Sequence, residues 1–187
     1  MLIIIIFLGV IAITDADSGI PWHIKLGYQN IDGSIHSNDS ALEGIVISTE
    51  NLFKRQVHSY FSTFAEIAYS SSAESVDDLM KLYHYGLGIK WNFGPTDYDF
   101  EPAVDYQYVL NQGSLYLKLG IGYTNSKREN NLPNMGLIII REQDISAQYG
   151  LGYELLGKRT GFFLEYMNSK SDLIDAGLMR AGVNWRF

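Results

Sequence analysis

The chain closes on Leu178-Met179-Arg180-Ala181-Gly182-Val183-Asn184-Trp185-Arg186-Phe187. Odd positions give Met179, Ala181, Val183, Trp185 and Phe187; even positions give Leu178, Arg180, Gly182, Asn184 and Arg186. A period of two describes a β-strand with one apolar and one polar face. The apolar face finishes in two aromatics, and Phe187 is the final residue.

The same rhythm recurs upstream. Trp22 to Ile31 sets Trp22, Ile24, Leu26 and Tyr28 against His23, Lys25, Gly27 and Gln29. Ser59 to Tyr69, Leu79 to Phe93, Phe100 to Leu110, Leu115 to Asn125, Ile145 to Leu155 and Phe162 to Tyr166 alternate in the same way. Ala41 to Ser48 is apolar but alternates poorly, so it reads as a weaker strand, and Thr49 to Gln56 reads as a turn. Polar or turn-forming stretches separate these runs: Asp32 to Ser40, Ser70 to Asp78, Gly94-Pro95-Thr96-Asp97, Asn111-Gln112-Gly113, Gly157-Lys158-Arg159 and Asn168 to Asp175. Asn125 to Asp144 is the longest connection, charged at Lys127, Arg128 and Glu129, with an apolar island at Leu137 to Ile140. Nowhere does a helical period appear.

A length of 187 residues implies one domain. With no cysteine, neither disulfides nor a thiolate metal site can hold it together. Thirteen Tyr, 9 Phe, 3 Trp and 18 Gly beside only 19% charged residues suit a β protein with an apolar outer surface. A formal net charge of −7 argues against nucleic acid as a partner, because no basic surplus exists to neutralise phosphates. The apolar run from Leu2 to Ile13 has signal-peptide length and falls short of a membrane-spanning helix. Cleavage after Ala16 would divide the chain into a signal peptide, 1–16, and a β-barrel domain, 17–187. No Lys or Arg precedes the run, so the start lies upstream, the signal is atypical, or the segment is a buried N-terminal strand.

Alternation alone does not distinguish a membrane barrel from a soluble barrel with its apolar face inward. Three physical points favour the membrane. The apolar face carries Tyr, Phe, Trp, Leu and Ile on nearly every strand, more bulk than an eight-stranded interior holds. The polar face holds Gly27, Gly86, Gly88, Gly120, Gly122, Gly150, Gly152 and Gly182. Glycine gains nothing on a solvated face but makes room in a crowded lumen. Finally, five cations on that face (Lys25, Lys90, Lys118, Arg180 and Arg186) balance five carboxylates (Glu66, Glu101, Asp105, Glu154 and Glu165). Buried charges require partners, so a balanced set suits a closed lumen; the alternative is ten charges in solvent.

The runs Tyr149-Gly150-Leu151-Gly152-Tyr153, Phe163-Leu164-Glu165-Tyr166 and Ala181 to Phe187 resemble the small outer-membrane β-barrels of the eight-stranded OmpA/OmpX type. The resemblance implies an all-β, antiparallel up-and-down transmembrane barrel in the outer membrane, with aromatic girdles, short periplasmic turns and longer outer loops. It also implies a monomer in contact with outer-membrane lipid and lipopolysaccharide. The barrel assembly machinery would read the C-terminal strand at Val183, Trp185 and Phe187. Nine strand candidates do not give the even number that such a barrel requires. Either Ala41–Ser48 is not a crossing, or Leu137–Ile140 is a tenth; the chain length favours eight over ten.

Chemistry is sparse. The histidines His23, His36, His58 and His84 form no metal-spaced pair, and neither a metal nor another cofactor is implied. Lipid A deacylases share the strand rhythm but carry His-x-Ser-Asn on the penultimate strand. Here Tyr166-Met167-Asn168-Ser169 has no histidine, which removes the base that a serine nucleophile needs. His36-Ser37-Asn38 reads as a polar turn. Three functions therefore stand in order. The first is a non-enzymatic outer-membrane barrel with a plugged polar lumen, serving surface structure or loop-mediated interaction; Asn125–Asp144 is the best candidate loop, and reads equally as a strand extension above the membrane. The second is a narrow pore, and the third a lipid A-modifying enzyme.

Overall fold

The computed structural model describes residues 22–35, 38–56, 59–72, 78–93, 113–132, 136–155, 160–172 and 174–186. The segment 1–16, read above as a signal peptide, and Phe187 lie outside them. Eight strands follow in chain order: β1 (Trp22–Ile35), β2 (Asn38–Gln56), β3 (Ser59–Ser71), β4 (Asp78–Phe93), β5 (Gly113–Leu132), β6 (Gly136–Leu155), β7 (Thr160–Lys170) and β8 (Ile174–Arg186). Each pairs antiparallel with its neighbour, and β8 pairs with β1 from Ile35↔Ile174 to His23↔Arg186, closing the barrel.

The strand count is the expected eight, but its composition differs. Ala41–Ser48 is a full crossing inside β2, and Thr49–Gln56, read as a turn, continues that strand with a register shift between Leu52 and Lys54. Phe100–Leu110, read as a strand, lies outside the described residues. β4 pairs directly with β5, from Asp78↔Asn130 to Phe93↔Leu115, so the ring has no position between them. Leu137–Ile140 is no tenth crossing either. It belongs to β6, and most of the long connection Asn125–Asp144 is a β5–β6 ribbon. Gly136 opens β6 at φ 78°, a left-handed value that glycine adopts without the cost a side chain would bring.

The period of two decides which way each side chain points. Outward residues form a continuous apolar belt in which Leu26, Ile47, Leu87, Leu119, Leu151, Leu164 and Met179 are all exposed. Aromatics bound this belt. At the end where β1 starts and β8 finishes, Phe61 stacks on Trp91 at 5.4 Å and Trp91 meets Phe93 at 4.4 Å. Toward the far hairpins Tyr69 meets Tyr83 at 5.1 Å, with Tyr28, Tyr149 and Tyr166 at the surface. Inside, the order is reversed. Lys25, Glu66, Lys90, Lys118, Glu154, Glu165 and Arg180 are each no more than 3% exposed.

Candidate functional site

Among the described residues the buried titratable groups gather in the lumen, and its inward positions build it layer by layer. Nearest the termini, β1 contributes Lys25, β2 Glu50, β4 Lys90 and β6 Glu154. Lys25 Nζ lies 2.8 Å from Glu50 Oε1 and 2.8 Å from Glu154 Oε2. Lys90 Nζ lies 2.8 Å from Glu50 Oε2 and 2.7 Å from Glu154 Oε1. The four groups form a neutral square in which each carboxylate oxygen meets one ammonium. Such closure is what charges of this depth need, since a buried ion without a partner costs several kcal/mol.

A second square lies above the first. Lys118 Nζ is 2.9 Å from Glu165 Oε2 and 3.4 Å from Glu66 Oε2. Arg180 Nη1 lies 3.0 Å from Glu66 and 3.0 Å from Glu165. Arg180 Nε also donates to Gln29 Oε1 at 3.1 Å, whose Nε2 donates to Ser70 Oγ at 2.7 Å. Tyr116 joins the two layers. Lys90 Nζ and Lys25 Nζ sit 4.2 and 4.8 Å from its ring centroid, and its hydroxyl donates to Glu165 Oε2 at 2.9 Å. Two glycines make this crowding possible. A Cβ at Gly152 would run into the Tyr116 ring, and one at Gly122 into His84.

Beyond the squares His84 is held on both ring nitrogens: Gln148 Nε2 donates to Nε2 at 2.7 Å, leaving Nδ1 to donate to Thr124 Oγ1 at 3.0 Å. The far part of the interior is apolar, a layer that the expected polar lumen did not include. Ile31, Ile35, Leu42, Met80, Leu82, Met167, Ile174, Ala176 and Leu178 pack there as one buried cluster.

Of the ten charged residues singled out in the sequence, seven meet in these two squares. Glu101, Asp105 and the side chain of Arg186 lie outside the described residues. Glu50 is absent from that set because Thr49–Gln56 reads as a turn in the sequence. The signal available was the continuing alternation Val46, Ser48, Glu50 on one face. At the C-terminal strand, Trp185 is 36% exposed on the outer face, Val183 is half-buried, and Phe187 is not described.

Catalytic geometry is not assembled around the hydroxyls of β7. Ser169 Oγ donates to Ser146 Oγ at 2.9 Å, and both nitrogens of His84 are committed elsewhere. His36 and Ser37 lie outside the described residues. Among those residues no group of three or more His, Asp or Glu could hold a metal ion.

No protein-family model matches the sequence, and no curated protein resembles it in sequence. Solved structures do resemble the fold. Ail, the attachment invasion locus protein of Yersinia pestis, is 18% identical with a TM-score of 0.59, covering 90% of this chain and 99% of its own. Neisserial surface protein A is 14% identical at 0.59, covering 89% and 97%. The outer membrane protein OprG from Pseudomonas aeruginosa is 8% identical at 0.56, covering 90% and 96%. At these identities the likeness is one of fold. The chain is an all-β, closed, eight-stranded antiparallel barrel, the fold that these outer-membrane proteins have.

Proposed function

We propose that this chain is a non-enzymatic integral protein of an outer membrane. Its lumen is closed to solute, and its hairpins act at the cell surface. One observation carries the reading: the barrel is inside-out, with large apolar side chains exposed around its waist and charged ones buried at its axis. In water this arrangement would expose a ring of Leu, Ile and aromatic residues far larger than a soluble monomer tolerates. In lipid the same ring is the correct outer surface, and a closed barrel leaves no backbone edge unsatisfied within the belt.

Closure of the lumen follows from two barriers in series. The charge squares fill the section nearest the termini without a surplus charge to attract ions, and the apolar cluster around Leu42 and Met167 fills the far section. The likeness to a protein named for attachment and invasion supports an outward-facing role. In this orientation the start of β1, the end of β8 and the Trp/Phe girdle face the periplasm, and the β5–β6 ribbon stands outside.

Two measurements test the reading. Refolded in detergent, the barrel should migrate faster on a gel before heating than after; folding without detergent would overturn the membrane assignment. Planar-bilayer recording should show no steady conductance, and a reproducible open level would put the pore reading ahead of the closed barrel.

A further inference from the structure

The β5–β6 ribbon has a free side. β6 pairs with β5 up to Gly136, but with β7 only from Ala147, so residues 136–146 form an edge that no described strand covers. This edge carries Leu137, Ile138, Ile139 and Ile140, between 38% and 60% exposed, and they point alternately to both faces of the ribbon. Ile145 is the last member of the lipid-facing belt on β6. For strands tilted by about 40°, Ile140 and Leu137 then stand roughly 13 and 20 Å beyond it. They are out of reach of acyl chains in their own membrane. An exposed apolar strand edge is a template for pairing with another strand.

We propose that the occupant of this edge is the same edge of a second copy, held in an apposed membrane. Resting on the outer-membrane reading above, this names the partner of its surface-exposed ribbon. The sequence of the edge is self-complementary in antiparallel register. Pairing centred on Ile139 sets Ile139 against its own copy, Ile138 against Ile140 twice, and Leu137 against the aliphatic stem of Arg141 twice. A twofold axis perpendicular to the ribbon generates this pairing, so the two strands run in opposite senses and the two barrels point at each other. Two upright copies in one membrane cannot form it. Their β6 edges run in the same sense and cross at about 80°, twice the strand tilt. The expected monomer within its own membrane is therefore retained, and the contact joins two surfaces.

The chain has no cysteine, so a single one reports on the contact. Ile139→Cys, refolded in detergent and treated with a short bis-maleimide, should give covalent dimers, whereas Ser171→Cys in the β7–β8 turn should not. Adding Ile138→Lys and Ile140→Lys to Ile139→Cys should lower the dimer yield about tenfold, through charge repulsion at the edge. Cells displaying the chain should clump with one another and leave out cells lacking it. No dimers from Ile139→Cys, equal dimers from the lysine variant, or clumps that recruit chain-free cells would each overturn the proposal. The last would assign the edge to a foreign partner or to lipid. Heat-modifiable migration of each sample separates the two readings. A heat-modifiable barrel that fails to pair sinks only the pairing, and a chain that is never heat-modifiable sinks the barrel assignment as well.

Discussion

The hydroxyl of Tyr116 on β5 donates across the lumen to Glu165 Oε2 on β7 at 2.9 Å. With this bond one side chain belongs to both charge layers, its ring beneath the two lysines of one square and its oxygen on a carboxylate of the other. The interior is therefore a single connected polar network, and its members should not behave independently.

Tyr116→Phe keeps the ring contacts with Lys25 and Lys90 and removes only the donor to Glu165. The variant should fold and lose about 1–3 kcal/mol of stability, as expected for a hydrogen bond to a charged acceptor. Urea unfolding in lipid vesicles, followed by tryptophan fluorescence, measures this. No change would mean that Lys118 and Arg180 alone satisfy Glu165.

Glu154→Gln leaves Lys25 and Lys90 sharing one carboxylate, Glu50, with a net buried positive charge. Breaking a buried pair in this way should cost about 3–5 kcal/mol. A double variant, Glu154→Gln with Lys25→Met, restores neutrality and should recover a large part of that loss. Unfolding free energies of the two single variants and the double variant decide it; simple additivity would contradict a closed square.

Gly152→Val puts a branched side chain where the Tyr116 ring lies. Overpacking of a filled interior costs roughly 1–3 kcal/mol, and the strain should show as a lower unfolding midpoint. Truncating the obstacle in the same chain, Gly152→Val with Tyr116→Ala, should bring the midpoint above that of Tyr116→Ala alone. A glycine needed only for backbone conformation would show no such relief.

Leu151→Arg tests the facing of the barrel from outside. Leu151 is 56% exposed, in the middle of the apolar part of β6. An arginine at the bilayer midplane should cost about 2–4 kcal/mol. The same substitution at Leu137, beyond the belt, should be close to neutral in a single barrel, and equal penalties at both positions would argue against the belt.

The sequence by itself determined the staves and their facing. Strict alternation in segments such as Leu115–Asn125 and Ile145–Leu155 can bury only one face, so the Lys and Glu positions were placed on the inner side without any knowledge of neighbours. Alternation failed where the lumen itself turns apolar. In β2, Leu42 and Val46 face inward while Ile45 and Ile47 face outward, so both faces are apolar, the period vanishes, and Glu50 is not legible beyond it. Phe100–Leu110 alternates cleanly as well, but alternation says nothing about whether the ring has room for another stave. Tertiary structure alone decided the count, through the direct pairing of β4 with β5, and decided which charges meet. Lys90 and Lys118 stand directly opposite each other in that pairing, a repulsive arrangement if read locally. Their side chains diverge into separate squares, toward Glu50 and Glu154 for one and toward Glu66 and Glu165 for the other. Facing is local because it follows from backbone geometry, one residue to the next. Charge pairing is not, because each partner reaches the lysine across a lumen that exists only once the last strand has closed on the first.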